Sequence, residues 1–160
     1  MDKNMSARGG SASGGKTVAI SGGFDPVHVG HIELMEKARA LSDRLVVIMN
    51  NDNWLVAKKG FAFMPEKERA QVLKAIRYVD DVVITQHEKN TSDMSVCVAL
   101  EELKPDIFAN GGDRKEDNIP EYQLCDRLGI EMVFNLGDKI QSSSDLVKKV
   151  KERDVEPKII

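Results

Sequence analysis

Residues 17–35 read TVAISGGFDPVHVGHIELM, and the order of residue types along this stretch decides the fold. "TVAIS" (17–21) is a short, β-rich apolar run. Two glycines and an Asp-Pro pair then break the strand pattern. "HIELMEKARALS" (31–42) places Ile32, Met35, Ala38 and Leu41 at helical spacing. A strand that runs through a glycine turn into a helix is the first half of a βα unit. Two of the three histidines in the chain, His28 and His31, lie in that turn.

The same alternation continues to the end of the chain. "RLVVIMN" (44–50) is a continuous apolar run, as expected of a strand buried on both faces. A long loop is expected over 51–64. "PEKERAQVLKAIRYV" (65–79) opens with Pro65 and acids and carries Leu73, Ile76 and Val79 on one stripe, which predicts a helix. "DVVIT" (81–85) and "DIFAN" (106–110) read as strands, with a helix between them capped by Thr91 or Ser92 and running to Leu103. "PEYQLCDRLG" (120–129) is a helix closed by Gly129, and "IEMVFN" (130–135) a fifth strand. A last helix is expected from about Ser143 or Ser144. Strand and helix thus alternate five times. Right-handed crossovers then give a single α/β domain with a doubly wound, five-stranded parallel sheet, Rossmann-like in form.

Composition limits the function. The 160 residues suffice for one core, and 41% hydrophobic with 31% charged residues is ordinary for a soluble globular chain. A net charge of −3 gives no sign of a nucleic-acid surface. No apolar run approaches the roughly eighteen residues that span a bilayer. Residues 1–16 are rich in Gly and Ser and read as a disordered tail or tag. The domain is expected over 17–152, with a tail over 153–160. Cys97 and Cys125 form no CxxC pattern and are expected as free thiols in a cytoplasmic protein.

Ligands of doubly wound sheets bind beyond the carboxyl ends of the strands. The turn after the first strand is placed there, and Gly22, Gly23, Phe24, Asp25 and Gly30 form a candidate anion loop. Glycines admit a close ligand approach, and amides leading into a helix point at anions. The pattern is neither GxGxxG nor GxxxxGK[ST], so it is neither the dinucleotide fingerprint nor the P-loop. With His31 in the first helical turn, both imidazoles face one cleft and can donate hydrogen bonds to phosphoryl oxygens.

"GGFDPVHVGHI" (22–32) resembles the GxFDxxHxGH signature of the cytidylyltransferase-like nucleotidylyltransferases. Three further motifs follow in order. "PEKERAQVLKAIRYVDDVV" (65–83) is similar to the ER…IRYVD segment of glycerol-3-phosphate cytidylyltransferases. "NGGDR" (110–114) resembles the motif after their fourth strand, and looks still more like that of heptose 1-phosphate adenylyltransferases. "IQSSSDLVKKV" (140–150) resembles the serine-threonine motif that opens the last helix.

The resemblance implies transfer of a nucleotidyl group from a nucleoside triphosphate to a small phosphorylated or phosphonylated acceptor, with pyrophosphate leaving. Magnesium would travel with the triphosphate, so no protein metal site is expected. His28 and His31 would contact the triphosphate and stabilise the transition state. Lys58 or Lys59, in the long loop, would reach a phosphate, and Arg69 would bind acceptor or triphosphate oxygens. Gly111, Gly112 and Asp113 would hold the nucleotide, and Ser142, Ser143 and Ser144 the outer phosphates. CMP transfer from CTP is the favoured expectation, and adenylyl transfer from ATP to a sugar 1-phosphate or similar acceptor the alternative. A non-catalytic nucleotide-binding module and a flavodoxin-like scaffold for protein contacts are the competing classes. The resemblance further implies a homodimer. Trp54, the single tryptophan, reads equally as a stacking platform or a hydrophobic anchor.

Overall fold

The structure, a computed structural model, describes residues 15–112 and 120–137. Five strands form one parallel sheet: β1 (Thr17–Gly22), β2 (Arg44–Met49), β3 (Asp81–Ile84), β4 (Ile107–Ala109) and β5 (Glu131–Val133). Their order across the sheet is β3-β2-β1-β4-β5. The chain winds outward from β1 to β3, then returns to the other side of β1 for β4 and β5. The switch point therefore lies between β1 and β4, and a ligand crevice is expected beyond their carboxyl ends.

Five helices accompany the strands: α1 (Val29–Arg39), α2 (Asp52–Lys59), α3 (Glu66–Lys74), α4 (Cys97–Leu103) and α5 (Glu121–Leu128). Alternate residues of the central strands serve two cores, one on each face of the sheet. Val18, Ile20, Leu45, Val47 and Met49 meet Met35 and Ala38 of α1 and Ala70 and Leu73 of α3. Ala19, Ile48 and Phe108 meet Ala99 and Leu100 of α4 and Leu124 and Cys125 of α5. Burial on both faces explains the unbroken apolar runs of β1 and β2. The register is continuous from Thr17↔Arg44 to Gly22↔Met49, so these two strands end together at the crevice.

Three expectations about elements are corrected. The stretch 51–64 is not a continuous loop, because α2 occupies most of it. Asn51 caps that helix by accepting the Trp54 N–H at 3.0 Å, and Gly60 ends it in the left-handed conformation at φ 91°. Second, α3 stops at Lys74 rather than at Val79. Ile76 and Val79 reach the core through tight turns that lead to Asp80, whose N–H donates to the Leu45 carbonyl at 3.0 Å. Third, α4 begins at Cys97, not near Thr91 or Ser92. The Asp93 carboxylate accepts from the Ser95 N–H (3.0 Å) and hydroxyl (2.6 Å) and holds that segment in a local turn. At the start of α4 the Cys97 N–H donates to Ser95 Oγ at 3.3 Å, and Glu121 of α5 accepts the Val96 N–H at 2.9 Å.

The expected last helix, with Ser142–Ser144, falls outside the described residues, as do Asp113 and most of the two expected tails. Among the described residues no helix is long and apolar enough to cross a membrane.

Candidate active site

The turn after β1 is built by its own side chains. Phe24 adopts φ 51° and is 4% exposed. Its ring lies over Gly22, where a Cβ would come within 3.1 Å of the ring edge. At Gly23 a Cβ would meet the Leu55 side chain at 2.9 Å. The room where a side chain would stand at these two glycines is therefore filled by Phe24 and Leu55. Gly22 and Gly23 accept through their carbonyls, from the Asn50 N–H (2.9 Å) and from Arg69 (2.8 Å).

His28 and His31 form a reciprocal cap at the start of α1. His28 Nδ1 accepts from the Gly30 N–H, and His31 Nδ1 accepts from the His28 N–H, both at 3.2 Å. The rings stack with centroids 3.7 Å apart and 23° between planes, and the Phe24 ring sits edge-on to His31 at 4.8 Å. A neutral imidazole carries one proton, so rings that accept at Nδ1 carry it at Nε2. Both Nε2–H groups are without a hydrogen-bond partner among the described residues. The site thus holds two adjacent, oriented, uncharged donors. Burial lowers the His31 pKa to about 3, with the neighbouring His28 ring adding to the effect, and burial also lowers that of His28. The two caps orient both rings and direct their Nε2 atoms away from the backbone of α1.

Of the two lysines, the structure brings Lys59 to this turn. Its Nζ donates to the Asp25 carbonyl at 2.9 Å and lies 3.6 Å from the Asp25 carboxylate. Lys58 points outward, over the Trp54 ring at 5.0 Å. Trp54 itself anchors, donating its indole N–H to the Met94 carbonyl at 2.9 Å. Both lysines end α2 beside its negative pole rather than lying on a loop.

Asp25 is 1% exposed, and its carboxylate accepts from the Phe63 and Met64 N–H groups at 2.6 and 2.8 Å. With Lys59 alongside, those oxygens are committed to the protein. Arg69, expected to bind acceptor or triphosphate oxygens, is 1% exposed and pairs with Asp52 at 2.6 Å. Its other donors reach the Met64, Gly23 and Asn50 carbonyls.

Across the switch point, Asn110, Gly111 and Gly112 follow β4. Nothing lies within 4 Å of a Cβ built at Gly111, whereas one at Gly112 would approach the Gly137 carbonyl at 3.2 Å. Asn110 ties this end to β5, donating its N–H to the Val133 carbonyl at 2.7 Å and accepting from the Leu136 N–H at 3.0 Å.

Sequence patterns passed over Asn51, Asp52, Glu66 and His87. Asn51 donates its side-chain amide to the His87 carbonyl at 2.9 Å, and its own N–H donates to Thr85 Oγ1 at 3.1 Å. His87 bridges Thr85 and the Ser95 carbonyl, each at 2.8 Å. Thr85, His87 and Ser95 border a cavity of about 290 Å³ at the carboxyl end of β3, lined also by Gln86, Asp93 and Val98. The signals for Asn51 and Asp52 were present as a capping residue followed by an acid, with Lys-Lys-Gly seven residues on. No group of three or more potential metal-ligating side chains occurs among the described residues.

The stacked histidine pair thus lies at the end of the first strand, beside the switch point of a parallel α/β sheet. The chain belongs to the cytidylyltransferase-like family, whose model matches residues 19–154. It is 41% identical over 141 residues to FAD synthase of Pyrococcus abyssi, covering 84% of this chain and 92% of that protein. It is also 41% identical over 101 residues to FAD synthase of Pyrococcus horikoshii, covering 62% of this chain and 65% of that one. The bifunctional protein HldE of Magnetococcus marinus is 37% identical over 141 residues, which is 87% of this chain but 28% of HldE. The solved structure of a lipopolysaccharide core biosynthesis protein from Thermoplasma volcanium shares the fold, with a TM-score of 0.64 and 24% identity over 78% of this chain and 99% of that one.

Proposed function

We propose that this protein is an adenylyltransferase that moves AMP from ATP to a small phosphorylated acceptor, with FMN the first acceptor to test. In that reaction an acceptor phosphate oxygen attacks the α-phosphorus. A new P–O bond forms, the bond to the β-phosphate bridge breaks, and pyrophosphate leaves. Such chemistry asks the protein for in-line positioning and for donors aimed at developing charge. The observation that carries the proposal is the stacked His28–His31 pair, with both Nδ1 atoms committed to backbone N–H groups and both Nε2–H donors left over. We assign these two donors to the phosphoryl oxygens and Lys59 to a phosphate at the same end of the sheet. Gly111 and Gly112, with Asp113 beyond the described residues, are assigned to the nucleotide, and Ser142–Ser144 to the outer phosphates. Magnesium is assigned to the triphosphate.

The relatives favour the adenylyl alternative over the CMP transfer expected from sequence. FAD is the product of joining AMP to FMN, and the P. abyssi FAD synthase matches over nearly its whole length. HldE, which carries a heptose 1-phosphate adenylyltransferase domain, supports the same donor and makes a sugar 1-phosphate the second acceptor. Pyrophosphate release would be measured with ATP and with CTP, each against FMN, a heptose 1-phosphate and glycerol 3-phosphate. Release with ATP and FMN, together with FAD formation, is expected. Release with CTP alone would restore the cytidylyl assignment. ATP binding without release in any mixture would establish the non-catalytic module. We further propose a homodimer acting in the cytoplasm, and light scattering showing a monomer mass would refute the first of these.

A further inference from the structure

We infer that Arg69 is a positioning residue: a buried guanidinium clamp that sets the turn after β1 and the helix carrying Lys59 in register with each other. Its donors reach four acceptors on three separate stretches of the chain. Nε donates to the Met64 carbonyl at 2.8 Å, ahead of α3. Nη1 donates to the Gly23 carbonyl at 2.8 Å and the Asn50 carbonyl at 2.7 Å, at the ends of β1 and β2. Nη2 donates to Asp52 Oδ1 at 2.6 Å, at the first residue of α2. With 1% of the residue exposed and these donors engaged by the protein, the guanidinium does not meet a substrate.

The clamp extends through Asp52 and Met64. Asp52 Oδ2 accepts the Glu66 N–H at 3.2 Å, and Glu66 Oε1 accepts the Asp52 N–H at 2.9 Å. The first turns of α2 and α3 thus cap each other through exchanged carboxylates, with Arg69 locked onto one of them. Met64 is held from two sides, its carbonyl by Arg69 and its N–H by the Asp25 carboxylate. Asp25 also holds Lys59. Displacement of Arg69 therefore loosens the Gly23–Asp25 turn, residues 60–65 and the origin of α2 together. A lysine keeps the charge but lacks the planar fork that spans these acceptors.

The kinetic half of this inference rests on the function proposed above, and the second readout does not. Arg69→Lys, Arg69→Gln and Asp52→Asn would be compared with the wild type and with Lys67→Ala, an exposed residue of the same helix. Turnover of ATP with FMN would be measured alongside amide hydrogen exchange at Phe63 and Met64. In folded Arg69→Lys, kcat is expected to fall about tenfold or more while KM for ATP changes by less than about threefold. Exchange at both amides is expected to rise about tenfold, and Lys67→Ala to change neither quantity. A raised KM with unchanged kcat would make Arg69 a substrate ligand and overturn the inference, as would unchanged exchange. If neither Arg69 variant folds, Asp52→Asn must show the same split, and a wild-type profile there overturns the clamp. If the wild type turns over no acceptor, the proposed function fails, and hydrogen exchange alone decides the clamp.

Discussion

His28 and His31 stack with their centroids 3.7 Å apart, and each ring uses Nδ1 to cap the first turn of α1. The cap specifies which nitrogen carries the proton; burial disfavours charging either ring, and the neighbouring His28 adds to that at His31. The pair therefore acts as two neutral hydrogen-bond donors whose direction is set by the helix they begin.

Capping and donation are separable by substitution. Asparagine is a good N-cap, so His28→Asn retains a side-chain acceptor for the helix while losing the ring donor. It is expected to melt within a few degrees of the wild type and to lose about a hundredfold or more in kcat. His31→Ala loses both functions, with about 1 kcal/mol of stability lost alongside turnover. Thermal melting and pyrophosphate release on the same samples check both variants.

The pair also predicts how stability follows pH. The unfolded chain protonates His31 near pH 6.5, whereas the native site does so only near 3. Between those values the unfolded state binds more protons, so stability is complete above the window and declines as pH falls through it. Urea midpoints taken from about pH 7 down to about pH 4 should show that decline, and His31→Gln should flatten it. An equal slope in the variant would remove His31 as its source.

The two lysines should behave differently. Lys59→Met removes the cation beside Asp25 and is expected to lower kcat/KM by about a hundredfold. Lys58→Met, outward over Trp54, should change it by less than about threefold. Equal effects from the two would contradict the geometry at the end of α2.

Gly23 should be intolerant for a packing reason. A methyl group there meets Leu55 at 2.9 Å. Gly23→Ala is expected to destabilise by about 1–3 kcal/mol, and Leu55→Ala in the same chain to relieve part of that loss. Strictly additive destabilisation in the double variant would rule out the steric account.

Much of the fold is legible in the sequence because burial on both faces leaves an unmistakable mark. "TVAIS" and "RLVVIMN" carry little polar interruption, and both lie at the centre of the sheet. The helix at 52–59 was obscured because only Leu55 of its side chains is buried, leaving no apolar stripe to read. Its ends were nonetheless encoded in Asn51 and Gly60. The start of α4 lies later than the serine-threonine pattern suggests because the Asp93–Ser95 turn takes up that stretch, and Glu121, twenty-five residues away, holds the Val96 N–H.

The site divides in the same way. The spacing of His28, Gly30 and His31 by itself placed two imidazoles at the mouth of the first strand, since a helix beginning between them leaves both at its first turn. The alternating elements by themselves determined a parallel sheet and the end of it where ligands bind. Tertiary structure alone decided that Lys59 rather than Lys58 meets Asp25, that Phe24 and Leu55 fill the room beside Gly22 and Gly23, and that Arg69 faces inward. Each of these depends on the ends of strands and helices distant in sequence meeting at one point. Adjacent residues and periodicity report which side of an element is apolar, not which carbonyls a buried guanidinium will find there.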